Sequence, residues 1–149
     1  MTIIDYKDRE QNSKIDFFVY SRYMVESIEP HHNVPHIIIS ITSAPDDRAK
    51  LPICTYTIGV LRLSFADSDK GENAMTDAHA TELKAFIGGL TEKFERIIVH
   101  CDAGYSRSPA IAAALSKHYN GTDKEFFERY KPNMLVYRKV LNAFGQAAK

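Results

Sequence analysis

Hydrophobic positions along the chain follow two alternating patterns. Short β-branched and aromatic runs at residues 15–20, 36–41 and 96–100 predict strands. Ile37-Ile38-Ile39 and Ile97-Ile98-Val99 are continuous enough to be covered on both faces. Leu61, Leu63 and Phe65 alternate with Arg62 and Ser64, as in a half-buried strand. Residues 54–58 read as a further short strand, with Gly59 marking a bend or bulge. Between these runs the spacing turns helical. Ser21 can cap a short helix through Tyr23, Val25 and Ile28 that Pro30 stops. Thr76-Asp77 opens a helix whose apolar stripe is Ala80, Leu83, Phe86, Ile87 and Leu90. A third helix runs from Pro109 to about His118 and ends at Asn120-Gly121. Thr122 and Glu125 then form the pattern of a capping box. Pro132-Asn133 breaks the chain before a last helix over 135–147, with Val136, Val140, Leu141 and Phe144 on its buried face.

Strands alternating with helices predict an α/β fold. The expected form is a single three-layer domain: a central, mainly parallel four- or five-stranded sheet flanked by helices. A length of 149 residues suits one domain. Residues 1–14 are mostly polar and read as an N-terminal arm or edge segment, leaving 15–149 as the domain.

Composition changes this picture little. Hydrophobic residues make up 44% and charged residues 26%, an ordinary soluble balance. Lys plus Arg equals Asp plus Glu at 19 each, so the chain has no global field for nucleic acid. From Cys101 onward there are eight Lys/Arg and four Asp/Glu, against eleven and fifteen before it. That mildly basic half suits an anionic substrate. With two cysteines, no secretory signal and no long apolar run, the expected protein is soluble and cytoplasmic, without a disulfide framework or a membrane span. No sequence feature sets an oligomeric state.

Candidate chemistry concentrates in residues 97–109. A β-branched run leads into His100-Cys101-Asp102-Ala103-Gly104-Tyr105-Ser106-Arg107-Ser108, and Pro109 opens a helix. Loop N–H groups and a helix start create an anion site. Arg107 adds a planar fork that matches two phosphate oxygens. Such a field lowers the pKa of a thiol, and Cys101 stands at the strand end facing it. The pattern points to a nucleophilic cysteine acting on a phosphate monoester. Asp67 and Asp69 lie in a loop at another strand end, a natural source of the proton a departing oxygen needs. Thr42, Ser43 and Arg48 are candidates either for the site entrance or for plain surface, and Arg22 for a surface ion pair. His31, His32 and His36 invite a metal reading, but an adjacent pair beside a turn supplies no convergent ligand set, so no metal is expected. Cys54 is the candidate thiol partner for an oxidised Cys101.

His100-Cys101, five further residues and Arg107-Ser108 resemble the signature of the cysteine-dependent protein tyrosine phosphatase superfamily. The signature's place in the second half of a small chain resembles the dual-specificity phosphatases, as does the Lys131-Pro132-Asn133 break before a closing helix. The resemblance implies a phosphotyrosine-phosphatase-like fold and a cysteinyl-phosphate intermediate. Cys101 would be the nucleophile. Arg107 and the N–H groups of Asp102, Ala103, Gly104, Tyr105, Ser106 and Arg107 itself would hold the phosphate oxygens. Ser108 would stabilise the departing thiolate, and His100 would support the loop from the opposite face of the strand. Ala66-Asp67 resembles the start of the general-acid loop, which favours Asp67 as the acid with Asp69 as alternative. No metal or organic cofactor is implied. The loop carries no lysine and does carry Asp102, which disfavours polyanions. The expected partner is a phosphorylated protein or peptide, phosphotyrosine favoured. The alternatives are an inositol phosphate, an RNA 5′-phosphate, or phosphate binding without turnover.

Overall fold

A computed structural model describing residues 14–29 and 31–145 contains four strands and five helices. In chain order they are β1 (Asp16–Tyr20), α1 (Arg22–Ser27), β2 (His36–Thr42), β3 (Thr57–Ser64), α2 (Asp77–Gly88), β4 (Arg96–His100), α3 (Arg107–Asn120), α4 (Lys124–Arg129) and α5 (Met134–Ala143). The strands form one sheet in the order β1-β4-β2-β3, and every pair is parallel. The expected three-layer α/β domain is therefore present with four strands. The polar arm expected at the N-terminus lies, apart from Lys14, outside the described residues.

Strand periodicity divides the side chains between the two faces. Ile37, Ile39, Ile41, Leu61, Leu63, Ile97 and Val99 join the main core with Leu83 of α2, Ile111 and Leu115 of α3, and Val136, Val140 and Leu141 of α5. The helix α3 is lined with alanines, and Ala110, Ala112, Ala113 and Ala114 are all buried, which lets it lie close on the sheet. The other face carries Ile38, Ile98, Ser40 and His100, all buried. A smaller layer covers it, made of α1 and the segment after β2. Arg22 of α1 bonds the Arg48 carbonyl (3.1 Å), Glu26 accepts from the Lys50 N–H (3.1 Å), and Arg62 of β3 bonds the Ala49 carbonyl (3.0 Å).

Several element ends differ from the sequence expectation. Residues 54–58 do not form a separate strand. One strand runs from Thr57, and Ile58 is the extra residue of a bulge, since His36 pairs with Thr57 but Ile37 with Gly59. A Cβ on Gly59 would stand 2.9 Å from Cζ of Phe86, so the glycine admits that ring against the sheet. The helix α3 starts at Arg107, two residues before Pro109. Proline is tolerated there because N–H groups of the first turn have no partner within the helix. Thr122 accepts from the Lys124 N–H (3.3 Å) without a capping box, and Asp123 occupies the cap position of α4. The last helix stops at Ala143; its expected final residues 146 and 147 lie outside the described residues. The cap of α1 is as expected, with Ser21 Oγ accepting from the Met24 N–H (3.1 Å).

Candidate active site

Because all strands are parallel, the segments following them gather at one end of the sheet, where α/β folds place their sites. Four meet there: Ser21 after β1, Ser43 after β2, Phe65–Ser68 after β3 and the 101–106 loop after β4. The β1–β4 ladder continues into the loop, with Cys101 N–H donating to the Tyr20 carbonyl (3.4 Å) and Arg22 N–H to the Asp102 carbonyl (3.0 Å). Gly104 takes φ +71°, a conformation favouring glycine. A Cβ there would stand 2.6 Å from the Ser21 nitrogen and 2.7 Å from the Tyr20 carbonyl carbon. Glycine is thus required both by the turn and by the close approach of the two backbones.

The loop curls around one sulfur. Cys101 is 2% exposed. Its Sγ accepts from the N–H of Gly104 and of Ser108, each at 3.3 Å, and lies 3.1 Å from Ser108 Oγ. Three polar groups thus converge on the sulfur. Arg107, in the first turn of α3, is 5% exposed. Its Nη1 donates to the Phe65 carbonyl (2.8 Å) and to Ser43 Oγ (3.1 Å), and its Nη2 to Asp102 Oδ2 (2.9 Å).

His100 projects to the opposite face, as expected, and is fully buried. Its Nδ1 lies 3.1 Å from the Cys101 carbonyl and its Nε2 2.6 Å from Ser40 Oγ. A carbonyl only accepts, so Nδ1 carries the proton and Nε2 accepts from Ser40. Burial lowers the His100 pKa, consistent with that neutral ring.

The two candidate acids have different surroundings. Asp67 Oδ1 accepts from Ser106 Oγ (2.9 Å) and from Asn133 Nδ2 (3.0 Å). Asn133 Nδ2 also donates to the Ser68 carbonyl (3.1 Å), its N–H to the Ser106 carbonyl (3.0 Å), and its Oδ1 caps α5. Asp69 instead lines a cavity of about 420 Å³ beside the loop, with Tyr105, Lys131, Met134 and Arg138. A larger cavity of about 690 Å³ between Ile15, Leu90 and Tyr119 lies at the other end of the sheet.

The fold has counterparts among solved structures. Human DUSP28 superposes with a TM-score of 0.54 at 17% identity, over 86% of this chain and 90% of that one. A single-residue variant of the same human protein gives 0.55 at 17% identity, over 86% and 88%. The chain has the fold of a dual-specificity phosphatase. No protein-family model and no curated protein matches its sequence. Within this phosphatase fold, Cys101 and Arg107 occupy the end of the sheet where the strand-following loops meet.

The remaining sequence candidates fall into place around that centre. Ser43 reaches Arg107, whereas Thr42 bonds the Ala44 carbonyl (3.0 Å). Arg22 pairs with Glu26 (3.1 Å) and Asp47 (2.9 Å) on the surface. His32 sits between Tyr20 (3.2 Å) and Arg96 (3.0 Å), and His36 bonds the Val34 carbonyl (2.9 Å) and Thr57 (2.7 Å). Among the described residues no three His, Cys, Asp or Glu side chains are placed to hold a metal ion. Among them, too, no helix is long and apolar enough to cross a membrane. Cys54 precedes Thr57, which is level with His36 and Arg96. Cys101 lies five residues beyond Arg96, about 17 Å along the sheet. A Cys54–Cys101 disulfide is out of reach. The Asn133 side chain, the Phe65 carbonyl and Ser40 are contacts that the sequence did not single out.

Proposed function

We propose that this protein is a cysteine-dependent phosphatase acting on phosphorylated proteins or peptides, with phosphotyrosine favoured, through a cysteinyl-phosphate intermediate. The observation that carries the proposal is the pair of buried groups seven backbone positions of loop bring together: a sulfur receiving two N–H groups beside Ser108, and a guanidinium at the same helix start.

In the first step Cys101 sulfur attacks phosphorus in line with the leaving oxygen; the S–P bond forms and the P–O bond breaks. Asp67, as the carboxylic acid, gives its proton to the departing oxygen. Arg107 and the loop N–H groups hold the equatorial oxygens, more strongly in the transition state than in the ground state. In the second step Asp67 carboxylate takes a proton from water, which attacks phosphorus while the S–P bond breaks. Ser108 Oγ, 3.1 Å from the sulfur, supports the returning thiolate. Asp102 beside Arg107 and the absence of lysine from the loop support a singly phosphorylated substrate over a polyanion. The assignment of residues 15–149 to one catalytic domain and a reducing, cytoplasmic setting belong to the same proposal.

The test is a substrate panel in reductant and chelator: phosphotyrosine, phosphoserine and phosphothreonine peptides, an aryl phosphate, inositol phosphates and a 5′-phosphorylated RNA. Phosphotyrosine peptide and aryl phosphate are expected to be hydrolysed, and Cys101→Ser to abolish the activity. A panel with no turnover overturns the enzyme; turnover of inositol phosphate or RNA alone overturns the substrate class.

A further inference from the structure

Arg107 is tied on one edge and open on another. A guanidinium carries five N–H donors in a fixed plane. Nη1 uses both of its protons, on the Phe65 carbonyl and Ser43 Oγ, and Nη2 uses one, on Asp102 Oδ2. Ser43 Oγ is also 3.4 Å from Asp102 Oδ2, so these two acceptors stand side by side. They therefore span the outer edge of the guanidinium, the edge shared by Nη1 and Nη2. Two donors remain, one proton on Nη2 and the Nε proton. Both lie on the adjoining edge, and Nε is buried without a hydrogen-bond partner among the described residues. An uncompensated buried N–H is costly and calls for an explanation. Here the pair left over is a parallel fork of the kind that fits two oxygens of one phosphate.

We infer that Asp102 and Ser43 are positioning residues for Arg107: they hold its outer edge so that Nε and Nη2 face the tetrahedral oxyanion. The inference rests on the function proposed above and names how that site is aligned. Asp102 is half exposed and belongs to the loop itself, so it does not have to leave when the anion arrives. The opposite role, a carboxylate occupying the anion's own place, leaves the buried Nε unexplained.

The two roles predict opposite signs. Binding of tungstate, a tetrahedral oxyanion, is measured by calorimetry alongside turnover of an aryl phosphate, for wild type, Asp102→Asn, Asp102→Ala and Ser43→Ala. Asparagine keeps an oxygen acceptor for Nη2 and removes a negative charge, so Asp102→Asn is expected to bind tungstate at least as tightly as wild type. Asp102→Ala frees the outer edge and is expected to weaken binding about tenfold, with kcat falling and thermal midpoint little changed. Ser43→Ala, which removes the acceptor on Nη1, is expected to weaken binding in the same direction. Tighter or unchanged binding in Asp102→Ala overturns the inference, as does an Asp102→Asn variant as weak as Asp102→Ala. If no protein in the series, wild type included, turns over substrate while tungstate binding follows the expected order, the proposed function fails and the positioning role stands.

Discussion

Asp67 and Asp69 carry the same carboxylate two residues apart, and in the fold their contacts differ. Asp67 is held by Ser106 of the cysteine loop and by Asn133, while Asp69 faces the neighbouring cavity. A proton donor must be kept within hydrogen-bond reach of the leaving oxygen, and the held carboxylate meets that condition. Asp67→Asn is therefore expected to lower turnover about 10²-fold, most for substrates with poor leaving groups. Asp69→Asn should stay near wild type. Steady-state kinetics across a series of leaving groups checks both, and a large defect confined to Asp69→Asn would move the role. At this scale the grouping of Cys101 and Ser108 with Arg107 in one loop and helix start was legible because their spacing is local. The partners of Arg107 were not, because the Phe65 carbonyl and Ser43 come from other strand ends, 42 and 64 residues away.

Elements were legible where one period dominates. The isoleucine runs of β2 and β4 and the stripe of α2 admit one reading each. The start of β3 was obscured because a bulge at Ile58 lets Gly59 lie within a strand rather than end one. The start of α5 has a part in the site that no local pattern reveals. Asn133 caps this helix through Oδ1, which accepts from Leu135 N–H (3.0 Å) and Val136 N–H (3.2 Å), while its Nδ2 holds Asp67 from 66 residues away. The two functions can be separated. Asn133→Asp keeps an oxygen to cap α5 but sets a carboxylate against Asp67. It should retain stability and lose activity. Asn133→Ala should lose activity and about 1 kcal/mol of stability as well. Urea unfolding with parallel kinetics distinguishes them; equal stability losses in both variants would contradict the cap, and full activity in Asn133→Asp would contradict the hold on Asp67.

The whole molecule places three histidines in buried, neutral positions. His32 is 3% exposed; burial first, then the Arg96 charge, lowers its pKa from 6.5 to about 4. Burial lowers His36 and His100 as well. Between the folded value of His32 and 6.5 the unfolded chain binds protons that the folded chain refuses. The stability these groups contribute is therefore complete above about pH 6.5 and is lost as pH falls toward about 4. Urea midpoints measured across that range should fall with pH, and His32→Gln should fall less steeply; a flat wild-type curve would contradict the buried neutral rings. The histidine cluster thus contributes to folding on the face away from Cys101.

In the proposed reaction Cys101 becomes covalently attached to phosphate. Ser108→Ala removes the hydroxyl 3.1 Å from the sulfur and should slow the second step more than the first. Rapid-quench mass spectrometry of this variant during turnover of an aryl phosphate tests that step. One phosphate is expected on the peptide containing Cys101, and none on the Cys101→Ser protein. Turnover with no adduct on Cys101 at any quench time, or with the phosphate on another residue, would contradict it.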